Sequence, residues 1–413
     1  MIRNLVVVSW PPSSLSIDGN TKNEIEYGSS WSSLGVHVTV LTSPSGASFL
    51  RRNGLIESHS LMIRSDSPDL RRGQSSFWSF GIKYLRYVSG VVRNAAQLVQ
   101  TPSNSTVLFT PTASLGNVLP ALIVSSIKKC EWILPIYHFA PLPSSRVGKW
   151  TNNLSSYVLQ NLSFLLCRWA TFILTETTEM KGEISQRLAY NEAKIIVAFA
   201  GIDSQLIDSV FPSDRLNSDA CFIGRLSPTK GIFDLPLIWR KVCDVLPNAK
   251  LLVIGPEYRS SVSERFRREI IRHGLERNII LLGEVAEKEK FRVLKGSKLL
   301  LHPSYEEGIP IPFLEAAYCG CTILAYSLRN YRDVRRFIEE VAPGDIDAMA
   351  AKCLEVLSSS SYTHLVRLNA KEHEWREAAA RILGQMNERQ ESSALRREDP
   401  LPEAFRKDQR STK

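Results

Sequence analysis

Two cations follow a short apolar segment in the second half of the chain. Arg225 and Lys230 lie within residues 222–231, and Gly224 allows a close approach to the backbone there. A guanidinium grips phosphate through two N–H groups, and an ammonium adds a point charge. The pair predicts a site for a nucleoside diphosphate. The alternative interpretation is a surface loop with two solvated cations.

Two carboxylates, Glu307 and Glu315, stand eight residues apart further along the chain. Pro312 suits the first turn of a helix, which places Glu315 about one turn inside that helix. Backbone N–H groups of residues 308–311 would then lie at the positive end of the helix, which favours a phosphate. In this interpretation Glu315 accepts from ribose hydroxyls and Glu307 from hydroxyls of a donor sugar. Alternatively, both acids only complement the helix dipole.

A single histidine, His138, directly follows an apolar segment in the first half. A histidine at the end of a strand can exchange protons with a substrate in the adjoining cleft. The alternative is that His138 has a structural role.

Short apolar segments alternate with segments of helical length along most of the chain. This rhythm predicts an α/β protein with two doubly wound parallel sheets, whose strand ends face a cleft between two domains. Strands are predicted at 5–9, 36–42, 106–109, 132–137, 169–175, 195–199, 220–223, 250–254, 279–282, 299–302 and 322–326. Helices are predicted at 24–34, 115–126, 233–246, 261–273, 312–318 and 372–386.

Composition agrees with a globular chain of two domains. The 413 residues are 44% hydrophobic and 23% charged, and the formal net charge of +9 favours an acidic partner. The basic residues are dispersed, which disfavours nucleic acid as that partner. The seven cysteines are irregularly spaced, so they predict free thiols in a reducing compartment rather than a zinc site. The apolar run at residues 5–8 is too short for a signal peptide, which predicts a cytoplasmic protein.

Residues 220–357 resemble the retaining family-four glycosyltransferases of GT-B fold. The resemblance rests on the strand followed by Arg225 and Lys230, and on Glu307 and Glu315 with seven residues between them, in the same order as in the family. Residues 171–180, 197–203, 343–345 and 373–376 resemble other segments of that family. Where the family usually has glycine, this chain has Pro310, which offers no N–H group.

The resemblance implies a hexosyltransferase of glycoconjugate or polysaccharide biosynthesis. Such an enzyme moves a sugar from a UDP- or GDP-linked donor, with retention of configuration, to a lipid-linked or growing glycan acceptor. It implies no bound metal and no cofactor other than the nucleotide-sugar substrate. The implied catalytic residues are His138 and Glu307. The implied donor-binding residues are Arg225, Lys230, Glu315, Gly308, Ile309, Ile311, Gly224 and Gly19.

The predicted organisation has four parts. Residues 1–203 form a Rossmann-like acceptor-side domain, and 204–365 form a Rossmann-like nucleotide-sugar domain. Residues 366–386 form a closing helix that crosses back to the first domain, and 387–413 form a disordered charged tail. Cations and aromatics at residues 83–88 predict peripheral contact with anionic membrane at its inner face. The pattern Asp345-Ile-Asp347 is interpreted as a helix cap rather than a metal site.

Two other functions compete with sugar transfer. One is a degenerate, non-catalytic GT-B scaffold that assembles with an active transferase. The other is a nucleotide-dependent dehydrogenase or epimerase, which would carry a G-x-G-x-x-G loop after its first strand. Residues 11–27 contain no such loop.

Overall fold

A computed structural model represents the protein. The structure describes residues 2–9, 19–42, 50, 85, 88–90, 92–93, 106–146, 150–212, 218–257, 259–359, 368–369 and 373–398. The segment 83–88, for which membrane contact is predicted, lies largely outside these residues.

The first sheet has six parallel strands in the order β2-β1-β3-β4-β5-β6. Its strands are almost continuously apolar and buried, as expected for a sheet covered by helices on both faces. Its strands are β1 (Asn4–Val8), β2 (His37–Leu41), β3 (Thr106–Phe109), β4 (Glu131–Pro135), β5 (Phe172–Thr175) and β6 (Ile195–Val197).

Five described helices belong to this half of the chain. Thr177 caps the fourth of them, because its hydroxyl accepts the Met180 N–H at 2.9 Å. The helices are α1 (Gly19–Ser33), α2 (Leu115–Lys128), α3 (Trp150–Cys167), α4 (Thr178–Leu188) and the short α5 (Ser204–Asp208).

The second sheet also has six parallel strands, in the order β12-β11-β10-β7-β8-β9. The strand order reverses between β7 and β10, where Ala220 lies opposite Leu299 and Cys221 opposite Leu300. The loops that leave these two strands therefore emerge side by side, although they are far apart in sequence. The strands are β7 (Ser218–Ile223), β8 (Leu251–Ile254), β9 (Ile279–Gly283), β10 (Ser297–His302), β11 (Thr322–Tyr326) and β12 (Ile338–Val341).

Helices α6 to α10 cover the second sheet. The last of them is capped by Asp345, whose carboxylate accepts the Ala348 N–H at 2.9 Å, so the predicted helix cap is confirmed. The helices are α6 (Asp234–Val245), α7 (Ser260–Arg272), α8 (Glu287–Gly296), α9 (Ile311–Cys319) and α10 (Ile346–Ser358).

The last helix, α11 (Trp375–Glu398), returns to the first sheet's domain. The Trp31 indole N–H donates to the Ala379 carbonyl at 3.1 Å, and the Ile2 N–H donates to the Asn387 side chain at 3.0 Å. The second contact lies at residue 387, and the helix continues to Glu398, so the predicted helix end at 386 is wrong and the predicted tail is helical up to Glu398. Residues 399–413 lie outside the described part of the chain.

Every strand predicted from the sequence is present, and the two parallel sheets confirm the predicted fold class. Strand β12 was not predicted, because its two central residues, Glu339 and Glu340, interrupt the apolar pattern. Helix α1 begins five residues before the predicted start. The predicted domain boundaries at 203/204 and 365/366 stay predictions. Within the described residues, no helix is long and apolar enough to cross a bilayer.

Candidate functional site

A cavity of about 290 Å³ lies at the carboxyl ends of strands from both sheets. The first domain contributes residues from α1 and from the ends of β4 and β5. The second domain contributes the loops after β7 and β10 and the start of α9. Its described walls include, from the first domain, Lys22, Asn23, Tyr137, His138 and Glu176, and from the second domain, Gly224, Arg225, Lys230, Glu307, Gly308, Ile309, Ile311 and Glu315.

The loops after β7 and β10 are tied together by their backbones. The Tyr305 N–H donates to the Thr229 carbonyl at 2.9 Å, and Lys230 ends the 3-10 turn Pro228–Lys230 next to it. Gly231 follows with φ of +69°, and a Cβ there would lie 1.8 Å from the Pro303 carbonyl oxygen. The position of Lys230 therefore depends on a glycine that no other residue can replace without moving the adjacent loop.

Glu307 is buried at the floor of the cavity between two partners. Its Oε1 atom lies 2.5 Å from the Lys230 ammonium and 2.8 Å from Nε2 of His302. Burial alone would raise the pKa of Glu307, but Lys230 and His302 outweigh it and hold that pKa well below its usual range. The two charged motifs predicted from sequence are thus in direct contact.

Glu315 is almost fully buried, five residues into α9 by its position in the helix. Its Oε1 atom lies 2.8 Å from the Lys290 ammonium and 3.1 Å from the Lys22 ammonium of the first domain. Its Oε2 atom has no hydrogen-bond partner among the described residues. A buried carboxylate oxygen without a donor is unfavourable, so a ligand hydroxyl would be well accommodated there.

Lys22 carries its charge into the cleft from helix α1. It pairs with Glu287 as well as with Glu315. Burial alone would lower the pKa of Lys22, but the carboxylates of Glu315, Glu287 and Glu26 outweigh burial and raise it. The ammonium therefore stays charged in its buried position and links the two domains.

Glu176, directly after β5, makes a second link across the cleft. Its Oε2 atom accepts the Ile309 N–H at 3.1 Å. Burial, reinforced by the nearby Glu307 carboxylate, raises the pKa of Glu176 to about 8 despite this hydrogen bond. Ile309, which was predicted to offer its N–H to a phosphate, lines the cavity, and in this arrangement its N–H donates to Glu176. Its role towards a donor stays a prediction.

His138 lies at the edge of the cavity and is partly exposed. Its Nε2 atom is 3.6 Å from Glu306, and Arg146 binds the same carboxylate through two hydrogen bonds of 2.7 and 2.9 Å. Burial alone would raise the pKa of Glu306, but His138 and Arg146 outweigh it and lower that pKa. The three residues form a third bridge between the domains, beside the cavity.

The remaining predicted donor-binding residues differ in their position relative to the cavity. Gly308 and Ile311 line the cavity, next to the first turn of α9. A Cβ on Gly308 would lie 3.3 Å from both Glu176 and the Tyr137 carbonyl, so the loop is tightly packed there. Gly19 is the first residue of α1, the helix whose Lys22 and Asn23 line the cavity, and its contact with a donor stays a prediction.

Sequence reasoning missed several residues of this site. His302 and Glu176 end or follow predicted strands, so the argument that singled out His138 applies equally to both. No such signal exists for Lys22 and Lys290, which lie inside helices. They reach Glu315 only because three helices meet at the cleft.

Comparisons with known proteins agree with this architecture. Residues 208–380 match the protein-family model described as glycosyl transferases group 1. The GPI3 subunit of phosphatidylinositol N-acetylglucosaminyltransferase from Saccharomyces cerevisiae is 25% identical over 250 residues, which cover 57% of this chain and 52% of that protein. O-antigen chain mannosyltransferase B from Escherichia coli is 24% identical over 222 residues, which cover 50% of this chain and 58% of that protein.

The chain spans about half the length of the curated relatives it matches. Among solved structures, Anabaena HepE in complex with UDP and glucose superposes with a TM-score of 0.71 and 15% identity. The superposition covers 94% of this chain and 100% of that structure, which shows a shared fold.

Proposed function

We propose that the protein transfers a sugar from a nucleotide-diphosphate donor to a glycan or lipid-linked acceptor, because residues 208–380 match the family model of glycosyl transferases group 1 and the chain has the GT-B fold. The observation that carries this proposal is the meeting of two separate charged motifs in one cavity. Arg225 and Lys230 follow β7, while Glu307 and Glu315 follow β10, and the sheet changes its strand order between these strands.

Each of these residues has chemistry that suits part of the donor. Arg225 and Lys230 offset the charge that develops on the diphosphate as its bond to the sugar breaks. The unpartnered Oε2 of Glu315 suits a ribose hydroxyl. Glu307 is held ionised by Lys230 and His302, so it can accept hydrogen bonds from sugar hydroxyls.

The finer points of the proposal rest on the resemblance to retaining family-four enzymes. They are retention of configuration, a UDP- or GDP-linked donor, activity without a bound metal, and a cytoplasmic location. The two protein cations and the start of α9 supply positive charge where other enzymes use a metal ion, which supports metal independence. HepE was solved with UDP, so UDP-linked sugars are the first donors to test.

Donor turnover by the purified protein tests the proposal. We expect release of UDP or GDP from one nucleotide sugar, unchanged by a chelator, and a loss of at least about tenfold in Glu315→Ala and Lys230→Ala. Ile271→Ser, an exposed change in α7, is the control and should behave as the parent. If the folded parent neither binds nor turns over any nucleotide sugar, the chain is instead a non-catalytic GT-B scaffold.

A further inference from the structure

Helix α1 brings one lysine of the first domain into the cavity. Lys22 is the fourth residue of that helix, and only 9% of its side chain is exposed. Its ammonium pairs with the carboxylates of Glu287 and Glu315, both in the second domain. An ammonium has three N–H donors. Because these two carboxylates are its ion-pair partners among the described residues, one donor is left for a further acceptor in the cavity.

Lys22 is not required to neutralise these two carboxylates. The Lys290 ammonium, from α8, lies 2.8 Å from Glu315 and 3.0 Å from Glu287. Each carboxylate therefore keeps a cation even without Lys22. Burying a second ammonium at the same place has a desolvation cost. The position of Lys22 therefore favours a ligand that brings negative charge into the cavity.

The orientation of Glu315 indicates where that charge lies. Its Oε2 atom has no hydrogen-bond partner within the described part of the chain, while Lys22 lies 3.1 Å from Oε1 of the same carboxylate. A ribose that donates a hydroxyl to Oε2 is therefore next to the Lys22 ammonium. The first phosphate of a nucleotide is bonded to its ribose, so it is the negative group nearest to Lys22.

The second domain by itself offers few donors to a diphosphate. Pro310 has no N–H group, and the Ile309 N–H donates to Glu176 at 3.1 Å. The Lys230 ammonium lies 2.5 Å from Glu307, so part of its charge is already balanced. A cation from the first domain compensates for these losses.

We propose that Lys22 is a phosphate-binding residue of the donor site. The inference rests on the proposed function, and it adds a first-domain cation to Arg225 and Lys230 of the second domain. A diphosphate is then bound from both sides of the cleft, whereas a nucleoside lacks the group that Lys22 binds. The phosphates of the donor therefore hold the two domains together around it.

Calorimetric titration with matched ligands tests this role. UDP and uridine differ only in the diphosphate, and so do GDP and guanosine. Lys22→Met and Lys22→Gln should bind the diphosphate at least about tenfold more weakly than the parent, because a charged hydrogen bond is lost. Both should bind the nucleoside as the parent does, which also shows that they have folded. Lys22→Arg keeps the charge and should recover most of the diphosphate affinity.

Lys290→Met is the matched control, because it removes the other ammonium from Glu315 but lies on the second domain. It should change the affinities for diphosphate and nucleoside by the same factor, since it acts through the ribose-binding carboxylate. If the neutral Lys22 variants also change both affinities equally, or keep the diphosphate affinity of the parent, the phosphate contact is overturned and the donor site stands. A parent that binds neither UDP nor GDP would overturn both proposals.

Discussion

The carboxyl group of Glu176 lies between the two domains, where the Ile309 N–H donates to it at 3.1 Å. Burial is the main reason that its pKa rises from an ordinary 4.5 to about 8. The folded chain therefore keeps a proton that the unfolded chain has already lost at neutral pH. Such a group makes folding less favourable as the pH rises between these two values.

Glu176→Gln should remove this pH dependence, because the amide oxygen can still accept the Ile309 N–H. Between about pH 5 and pH 8, we expect the parent's free energy of unfolding to fall more steeply than that of the variant, by up to about 1.4 kcal/mol per pH unit. Urea unfolding across this range measures both slopes. Glu192→Gln, at an exposed acid, is the control and should keep the parent's slope. Parallel curves for the parent and Glu176→Gln would contradict the buried, protonated state.

At the scale of elements, the loop after β7 depends on the loop after β10. Gly231 adopts a left-handed conformation, and its missing side chain leaves room for the Pro303 carbonyl. Gly274 has a similar φ of +64°, but a Cβ there would meet nothing within 4 Å. Comparing alanine substitutions at Gly231 and Gly274 therefore distinguishes the energy of the left-handed backbone from the energy of a steric clash with Pro303.

Gly231→Ala should therefore be more damaging than Gly274→Ala. The left-handed conformation alone costs about 1–2 kcal/mol for alanine, and both variants pay this. We expect Gly231→Ala to lower the free energy of unfolding by at least about 2 kcal/mol more than Gly274→Ala does, because the added Cβ pushes the two loops apart. Chemical unfolding measures the difference. Similar losses in the two variants would show that the loops are not held at this contact.

Sequence patterns predict some elements and contacts of this protein better than others. The meeting of Lys230 with Glu307 was foreseeable, because both motifs follow buried strands of one parallel sheet. Strand β12 was not foreseeable, because Glu339 and Glu340 interrupt the apolar pattern that identifies a buried strand. The pairing of Glu176 with Ile309 depends on how the two domains close, and local periodicity carries no information about that distance.

At the scale of the whole molecule, polar contacts hold the two domains together around a small cavity. Its volume of about 290 Å³ is at the lower limit of common ligand sites. The polar contacts beside the cavity include Lys22 with Glu315, Glu176 with Ile309, and the Glu306 carboxylate with Arg146 and His138. Separation of the domains to an open arrangement would give a donor more room, and bridges of this kind are weak enough to open.

Glu306→Ala should shift the free protein towards the open arrangement. The change removes the one carboxylate that Arg146 and His138 share, while leaving the cavity floor at Glu307 intact. Small-angle X-ray scattering should then give a larger radius of gyration than for the parent, and an added nucleoside diphosphate should reduce it in both proteins. Glu257→Ala, at an exposed pair within the second domain, is the control. An unchanged radius in Glu306→Ala would exclude this bridge as a closing contact.

The central claim is that Arg225, Lys230 and Glu315 form one binding site for a nucleoside diphosphate. Calorimetric titration of the purified chain with UDP and GDP tests it most directly. We predict one bound equivalent of one of these nucleotides, and at least about tenfold weaker binding by Lys230→Ala and by Glu315→Ala but not by Ile271→Ser. Binding of neither nucleotide, or equal affinity in the parent and both site variants, would contradict the account.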